Sequence, residues 1–398
     1  MKSIVLNPFC AYAATWLFVL SVYTLKWSDF ISGLSNTLIL FILATSVMSL
    51  LIGLLLKKHI VKSNTKVEPN LKMIRSFFIF SFIFIVIECL AARNIPLLSS
   101  FDGEGYSYKD FGLPIIHVLL VNFVSFASIY SFHCYRSITS NNKERKKIMK
   151  YIMLFFSIFI LILNRGALIN CFIAFVIIYL ATSTEFKKSL IKTILSGFAV
   201  LFIFGILGNL RTDTKTAKNI ILEIGQATDE FRDSHIPDSF FWGYLYIASP
   251  ITNLQYNISQ IENSDLDKAS FLDFFILEIC PEIISKRVSE HFGITRPINK
   301  LKKENFNVST VYSTSYTLLG WFGMVLMYIF TIIFIIINII LVKKTNPFYI
   351  TQVAMLCSII ILNIFDNMFI EMGSVPMLIF PIIFNFKYRL GSKTKKLT

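Results

Sequence analysis

Long apolar stretches recur from one end of this 398-residue chain to the other, and they limit its fold more than any other feature. Several are long enough for a helix to cross a hydrocarbon layer about 30 Å thick. Inside such a layer every backbone N–H and C=O group needs a partner within its own segment, so the segments are expected to be helices. Since 55% of the residues are hydrophobic and the mean hydropathy is +0.65, a soluble globular chain is excluded. We therefore predict an all-α fold, a polytopic membrane helical bundle.

The apolar stretches divide the chain into about ten transmembrane helices and one large external loop. Residues 1–209 hold spans one to seven, residues 210–312 form the loop, and residues 313–398 hold spans eight to ten and a basic tail. The predicted spans lie near 9–25, 36–56, 74–91, 115–133, 148–163, 167–183, 194–209, 315–342, 348–365 and 375–386. Arg165 separates the fifth run from the sixth, and inside one continuous span it would cost at least about 2.5 to 3.5 kcal/mol. A tight turn at 164–166 is therefore predicted.

The basic residues predict how the chain is oriented in the membrane. With the N-terminus placed in the cytoplasm, 23 Lys and Arg residues fall in cytoplasmic segments. The short outer connections then hold four, namely Lys26, Arg93, Lys109 and Arg165. Because Lys and Arg in short loops are retained on the cytoplasmic side, both termini are expected there and the large loop outside. The +14 formal charge is thus explained by topology, and no nucleic-acid partner is expected.

The large loop has a different composition from the rest of the chain. It carries 14 of the 24 acidic residues and 11 of the 38 basic ones. Residues 216–231 have helical spacing, and the apolar runs at 242–254 and 271–280 are too short to span a membrane. We expect interfacial or re-entrant helices that hold the loop on the membrane surface. Chemistry is expected where this loop meets the membrane.

Four arginines are predicted on the outer side, at Arg93, Arg165, Arg211 and Arg232. The sequence has no motif typical of a soluble enzyme, so these arginines are the main functional candidates. Arginine presents a planar fork that suits phosphate oxygens and tolerates a partly dry site. The alternative is that each side chain merely reaches ordinary lipid headgroups. Glu88, near the outer end of the third span, is either a functional intramembrane acid or a structural partner of Arg93, and the structural role is favoured.

Candidate acids and bases lie on the same side of the membrane. His235 belongs to a dense charged run at 229–238, which is alternatively a solvated face. Asp366 directly follows an apolar span, so its carboxylate is expected to be partly desolvated. These two residues join Arg165 and Arg211 as the predicted catalytic set. The six cysteines show no paired spacing and no cation-binding motif stands out, so no metal or other cofactor is expected.

A series of short motifs runs through the spans and the large loop. They are Ile95-Pro96-Leu97-Leu98 with Tyr108 and Phe111-Gly112-Leu113-Pro114; Asn164-Arg165-Gly166-Ala167-Leu168; Gly208-Asn209-Leu210-Arg211; Tyr246 with Ser249-Pro250-Ile251-Thr252-Asn253-Leu254; and Thr314 with Tyr316 and Gly320-Trp321-Phe322-Gly323. In this order and topology, the series resembles the O-antigen polymerases (Wzy proteins), which polymerise lipid-linked oligosaccharide repeat units. The resemblance covers most of the chain. Tyr246, Asn253 and Tyr316 from its motifs join Arg93 and Arg232 as expected substrate-binding residues.

The resemblance implies glycosyl transfer at the outer face of the bacterial cytoplasmic membrane. The growing glycan on undecaprenyl pyrophosphate would be the donor, and a new lipid-linked unit the acceptor. Breaking the sugar–phosphate bond develops negative charge that prearranged arginines stabilise, and a general base assists the acceptor hydroxyl. The implied partners are the undecaprenyl-pyrophosphate-linked oligosaccharide and membrane lipid, with a membrane protein that regulates chain length as a further candidate.

Two alternative functions stay open. The related O-antigen ligases typically have a histidine in the large loop shortly before a Gly-x-x-Gly-like turn. In this chain Ser309 and Thr310 stand at that place, so ligase is the second choice. A lipid-linked oligosaccharide flippase or another transporter would also be a multispan protein, but transporters often show repeated halves, and no repeat is detected in this sequence.

Overall fold

The computed structural model describes residues 2–31, 33–60, 65–99, 111–138, 142–212, 220–262, 270–371 and 373–384. Within these ranges the chain is helical and forms no β-strand, only one isolated bridge between Ser28 and Ala227. The helices are α1 (Lys2–Val5), α2 (Pro8–Tyr23), α3 (Asn36–Leu55), α4 (Lys57–Ile60), α5 (Leu71–Ala92), α6 (Pro96–Ser99), α7 (Ile116–Ser137), α8 (Asn142–Leu161), α9 (Arg165–Thr182), α10 (Phe186–Thr212), α11 (Ile220–Ile224), α12 (Asp229–Arg232), α13 (Ser239–Glu262), α14 (Phe271–Phe274), α15 (Glu282–Phe292), α16 (Ser313–Leu341) and α17 (Tyr349–Leu362). A π-helical turn (Phe275–Ile279) follows α14, and a 3-10 turn (Val375–Ile379) follows α17.

The apolar helices match the predicted spans. In the described part of the chain six helices, α3, α5, α7, α9, α10 and α16, are long and apolar enough to cross a membrane. The other four predicted spans correspond to α2, α8, α17 and the segment Val375–Phe384. Three of these are shorter apolar helices, and α8 is apolar only after a basic first half. The prediction of an all-α polytopic membrane protein is confirmed.

The turn predicted at Arg165 is also confirmed. α8 ends at Leu161 and α9 begins at Arg165, so the two runs are separate helices. Leu163 breaks the helical path with a positive φ of 54°. Asn164 then caps α9, because its side-chain oxygen accepts a hydrogen bond of 2.9 Å from the backbone N–H of Ala167. Asparagine is favoured at this position since it satisfies an N–H that has no partner within the helix.

A buried polar layer fixes the height at which α7, α9, α17 and the 3-10 turn pack. The side-chain oxygen of Asn122 accepts a 3.0 Å hydrogen bond from the backbone N–H of Met377. The hydroxyl of Ser358 donates to the side-chain oxygen of Asn170 over 2.5 Å, and Asn170 Nδ2 lies 3.8 Å from the sulfur of Met377. An unpaired polar group is costly in hydrocarbon, so these contacts hold the helices in register. The starts of α7 and α9 therefore lie at the same end of the bundle as the end of α17.

The two ends of the bundle differ in character. At the opposite end, lysines are frequent in the connections 56–70 and 342–348 and in the first turns of α8. Side chains of the helices bind these connections, as where the Tyr349 hydroxyl donates to the Ile60 carbonyl and a His133 nitrogen lies 2.7 Å from the Thr65 carbonyl. We call this the basic end. The other end holds the starts of α9 and α16, the end of α17 and the whole of α11–α15, and we call it the loop end.

α13 lies across the loop end and ties the large loop to the membrane helices. The backbone N–H of Trp27 donates to the Tyr244 hydroxyl over 3.1 Å, and that of Ser35 donates to the Gln255 side chain over 2.7 Å. Both donors belong to the connection between α2 and α3. Where the sequence predicted a short interfacial run at 242–254, the structure has one helix of 24 residues that includes Pro250. The loop thus packs on the bundle.

Two features of the loop were not predicted. The prediction of one helix at 216–231 is wrong in the described part, because a turn at 225–228 separates α11 from α12. This turn pairs with the α2–α3 connection. α10 and α13 also approach each other closely through glycine. A Cβ atom on Gly205 would lie 1.9 Å from the backbone oxygen of Ser239, so only glycine permits this contact.

Candidate functional site

A fully buried carboxylate, Glu278, links three segments of the loop end. It lies in the π-helical turn, a rare geometry that is frequent at functional sites. Its Oε1 accepts a hydrogen bond of 2.9 Å from Arg296 Nη2. Its Oε2 accepts one of 3.1 Å from the Ser315 hydroxyl and one of 3.3 Å from Asn367 Nδ2. Glu278 therefore joins the loop to the first turn of α16 and to the segment after α17.

Burial sets the ionisation of this group. Removal from water disfavours the charged form and raises the pKa of Glu278 from an ordinary value of 4.5 to about 7. Arg296 and the hydrogen bonds from Ser315 and Asn367 lower the pKa, and the nearby charge of Asp366 raises it, but burial is the largest effect. A carboxyl group that titrates near neutral pH is typical of functional sites, although structural ion pairs show it too.

Arg296 connects this buried cluster to an open cleft. Its side chain is 42% exposed, whereas that of Glu278 is fully buried. The cleft has a volume of about 450 Å³, within the range of small-ligand pockets. We call it the Arg296 cleft; it is lined by Leu277, Glu282, Ser285, Lys286, Ser289, Glu290, Gly293, Ile294, Thr295 and Arg296. Gly293 closes α15 with a positive φ of 67°, which turns the chain back so that Arg296 faces the helix.

Asp366 lies beside the Glu278 cluster, but it is not desolvated. Asp366 is exposed, and its Oδ1 accepts a 2.7 Å hydrogen bond from the backbone N–H of Asn367. The expectation of a partly dry carboxylate at this position is therefore wrong. The chain turns outward directly after α17, which carries Asp366 into solvent, while Asn367 points inward to Glu278. The desolvated carboxylate of this region is Glu278.

Arg165 is held at the start of a membrane helix with its side chain exposed. The side chain of Asn164 caps the helix that Arg165 begins. The backbone N–H of Arg165 donates to the Leu163 carbonyl over 3.1 Å. Among the described residues, Arg165 forms no salt bridge. The backbone of Arg165 is thus fixed near the loop end, and its exposed guanidinium is available to a ligand.

Arg211 belongs to the last turn of α10, which continues to Thr212. The helix therefore carries Arg211 beyond the predicted end of the seventh span at 209. Its side chain lies outside the part of the chain that the structure describes, as does Tyr108 of the resemblance.

Three of the predicted site residues stabilise the loop. Arg232 donates from its guanidinium to the carbonyl groups of Ala227 and Leu222, over 3.1 and 3.2 Å. Asn253 is fully buried, and its Nδ2 donates to two carbonyl groups of the 306–308 segment over 2.6 and 2.8 Å. The hydroxyl of Tyr316, also buried, donates to Glu262 over 3.0 Å. These contacts are internal to the protein, and they hold the large loop against α16.

The remaining candidates, Arg93, His235 and Tyr246, are exposed. Arg93 ends α5 in a left-handed conformation with φ of 50°, and Tyr246 packs edge-on against Phe204 of α10. His235 lies in the turn between α12 and α13. In the part of the chain whose side chains are described, no hydrogen bond or ion pair joins any two of the predicted site residues. They are distributed over the loop end without direct polar contacts between them.

A second buried carboxylate, Glu88, lies near the end of α5. Its Oε2 is 2.8 Å from Nδ1 of His117 in the first turn of α7, so Glu88 pairs with His117 and not with Arg93. A Cβ atom on Gly112 would lie 2.7 Å from the His117 ring, which requires glycine there. The Oε1 atom of Glu88 has no hydrogen-bond partner among the described residues. This pair ties α5 to α7 where both helices reach the loop end.

A groove lined almost entirely by apolar side chains runs along α5, α7 and the C-terminal segment. It has a volume of about 700 Å³, and the side chains that line it include Phe80, Phe84, Leu119, Phe123 and Phe380. Its position on membrane-spanning helices suits it to the hydrocarbon chain of a lipid.

The sequence did contain a signal for Glu278, because an acidic residue interrupts the apolar run at 271–280. Its partner Arg296 is 18 residues away and belongs to no motif, so only the fold brings the two together. Among the residues that the structure describes, no group of three or more His, Cys, Asp or Glu side chains is arranged to hold a metal ion. Comparison of the chain with models of protein families, with curated proteins and with solved structures finds no match.

Proposed function

We propose that this chain is a membrane enzyme of the O-antigen polymerase type. It would join undecaprenyl-pyrophosphate-linked oligosaccharide repeat units into O-antigen or a related surface polysaccharide at the outer face of the bacterial cytoplasmic membrane. The ordered motifs of the sequence and the polytopic helical architecture support the proposal. In this assignment the loop end faces outward, both termini are cytoplasmic, and a membrane protein that regulates chain length is a candidate partner.

The observation that carries the proposal is the placement of Arg165. A cation at the start of a helix is disfavoured by the helix dipole, so Arg165 does not stabilise α9 through its charge. The start of a helix and an unpaired guanidinium instead attract the same kind of ligand, an anion. Arg165 combines both at the end of a helix long and apolar enough to span a membrane, and in the proposed topology this end lies near the depth of lipid phosphate groups. The pyrophosphate of a lipid-linked donor matches this position in charge and in depth.

The other groups supply complementary roles in the proposed reaction. Asp366 is exposed at the loop end and is the proposed acceptor of the proton from the attacking hydroxyl. The apolar groove beside α5 and α7 offers a surface to the isoprenoid chain of the donor or acceptor. Arg165 would stabilise the negative charge that develops on the leaving pyrophosphate.

The test uses purified protein in liposomes with a lipid-linked repeat unit, and scores the products for a ladder of chain lengths. Arg165→Lys keeps the charge but loses the planar guanidinium that can donate two parallel hydrogen bonds to a phosphate. We therefore expect the rate of polymerisation to fall by about 10²- to 10³-fold. The matched control is Arg75→Lys, an exposed arginine near the basic end of α5, which should polymerise normally.

The outcomes separate the alternatives. Ladders of wild-type length and yield from normally inserted Arg165→Lys would refute the anion-binding role of this residue. Transfer of a finished glycan to a second acceptor lipid, without a ladder, would indicate a ligase. Movement of the lipid-linked unit across the bilayer with no new glycosidic bond would indicate a transporter.

A further inference from the structure

The charges that line the Arg296 cleft are balanced. Two cations, Lys286 and Arg296, stand with two carboxylates, Glu282 and Glu290. A phosphate or pyrophosphate group entering this space would meet as many negative charges as positive ones. An apolar ligand would remove four charged groups from water without replacing their hydrogen bonds, which is costly. The lining therefore disfavours both an anion and a hydrocarbon.

Hydroxyl groups and apolar surface complete the lining. Ser285, Ser289 and Thr295 add hydroxyls, while Leu277 and Ile294 add apolar side chains. The hydroxyl oxygen of Ser289 is buried, and it has no hydrogen-bond partner among the described residues. The lining thus combines hydrogen-bonding groups with apolar surface.

We propose that the Arg296 cleft binds a neutral, hydroxyl-rich saccharide. Sugar hydroxyls both donate and accept hydrogen bonds, so they match cations and carboxylates that alternate along one wall. The C–H face of a sugar ring would lie on the apolar side chains. This inference deepens the proposed function, on which it rests for the identity of the ligand as a repeat-unit glycan. It places sugar recognition in the loop, apart from the anion site assigned to Arg165.

Glu278 acts in this cleft as a positioning residue. It is fully buried and cannot contact a ligand, but its Oε1 holds Nη2 of Arg296 at 2.9 Å. Ser315 and Asn367 fix the other carboxylate oxygen, so the orientation of Arg296 is set by groups anchored to two membrane helices. The remaining N–H groups of the guanidinium are thereby directed to the exposed side, where the cleft lies.

The experiment measures binding alone. Purified protein in nanodiscs is applied to an array of defined bacterial oligosaccharides that carry neither lipid nor phosphate, and bound glycans are titrated in solution. We expect the wild type to bind at least one glycan, Lys286→Ala and Arg296→Ala to bind it at least tenfold more weakly, and inorganic pyrophosphate not to compete. Lys300→Ala is the control, since this exposed lysine lies outside the cleft and uses only its backbone N–H, bonded to Asn257.

A double variant tests the positioning role and avoids an unpaired buried charge. Glu278→Gln combined with Arg296→Ala should bind as weakly as Arg296→Ala alone, because Glu278 acts only through Arg296. An additional loss in the double variant would assign Glu278 a general structural role instead. Absence of glycan binding, unchanged binding in Lys286→Ala and in the double variant, or competition by pyrophosphate would overturn the saccharide assignment. If polymer ladders form while any of these results holds, the cleft proposal fails alone; if glycans bind but no ladder forms, the polymerase proposal fails alone.

Discussion

Replacement of Glu278 by glutamine should change how the stability of the protein depends on pH. The substitution keeps the size of the side chain and an oxygen that accepts from Arg296, but removes the ionisable group. Folding raises the pKa of this carboxyl from an ordinary value of 4.5 to about 7, chiefly through burial. The folded state therefore binds the proton more tightly than the unfolded state does. The stability gained from this proton is fully present below pH 4.5 and is lost as the pH rises through about 7.

The size of the effect follows from the difference between the two pKa values. At about 1.4 kcal/mol per pKa unit, the ionised carboxylate costs the folded state about 3 kcal/mol at alkaline pH. The effects of the two charged groups that act on Glu278, Arg296 and Asp366, are already included in its raised pKa. We expect the free energy of unfolding of Glu278→Gln, relative to wild type, to increase by about 3 kcal/mol between about pH 4 and about pH 8.5.

Unfolding can be followed by circular dichroism in mixed micelles as the fraction of sodium dodecyl sulfate is raised. Other carboxyl groups also titrate in this range, so the measured quantity is the difference between the two proteins at each pH. Glu304→Gln is the control, because it makes the same substitution at an exposed carboxylate of the same loop. If the difference in free energy of unfolding between wild type and Glu278→Gln stays constant with pH, burial does not raise the pKa of Glu278 to about 7, and the reasoning is refuted.

The remaining predictions concern the packing of the loop end. Gly205→Ala should destabilise the protein by about 1 to 3 kcal/mol, because the new Cβ would lie 1.9 Å from the Ser239 carbonyl oxygen, whereas Gly197→Ala meets no atom within 4 Å and should be neutral or stabilising. Equal thermal midpoints for the two variants would contradict this close approach. Asn253→Ala should cost about 1 to 3 kcal/mol by leaving two partly buried carbonyl groups unpaired, and limited proteolysis should then cut near 306–308 sooner than in wild type. Unchanged cleavage would show that these hydrogen bonds do not hold the loop.

The membrane part of the fold could be predicted from the sequence because its signals are local. An apolar run of sufficient length specifies a helix wherever the chain goes. The separation of α8 from α9 followed from one charged residue, Arg165, whose cost inside a continuous span outweighs the benefit of a longer helix. The cap by Asn164 completes this turn with a hydrogen bond between residues three positions apart.

The loop could not be predicted to the same extent, because its structure depends on contacts between distant residues. The long α13 is stabilised by bonds such as that between Trp27 and Tyr244, which are 217 positions apart. Composition suggested short interfacial helices at 242–254, but packing on the α2–α3 connection extends the helix through Pro250. In the same way Asp366 and Glu278 both adjoin apolar runs, and the sequence does not distinguish which of them the fold buries.

The two proposed sites at the loop end suit the two substrates of the proposed polymerase. The donor carries a pyrophosphate leaving group, so its site needs a cation whose hydrogen-bonding groups are free, and Arg165 meets this need because no carboxylate in the described part of the chain pairs with it. The acceptor offers a sugar hydroxyl and little charge at its reacting end, so its site needs donors and acceptors in balance, as in the Arg296 cleft. Arg296 is a poor donor-site residue for the same reason, since its Nη2 already donates to Glu278. The two arginines are therefore not interchangeable: Arg165→Lys should reduce the rate of transfer, whereas Arg296→Ala should act mainly on the concentration of acceptor that half-saturates the enzyme.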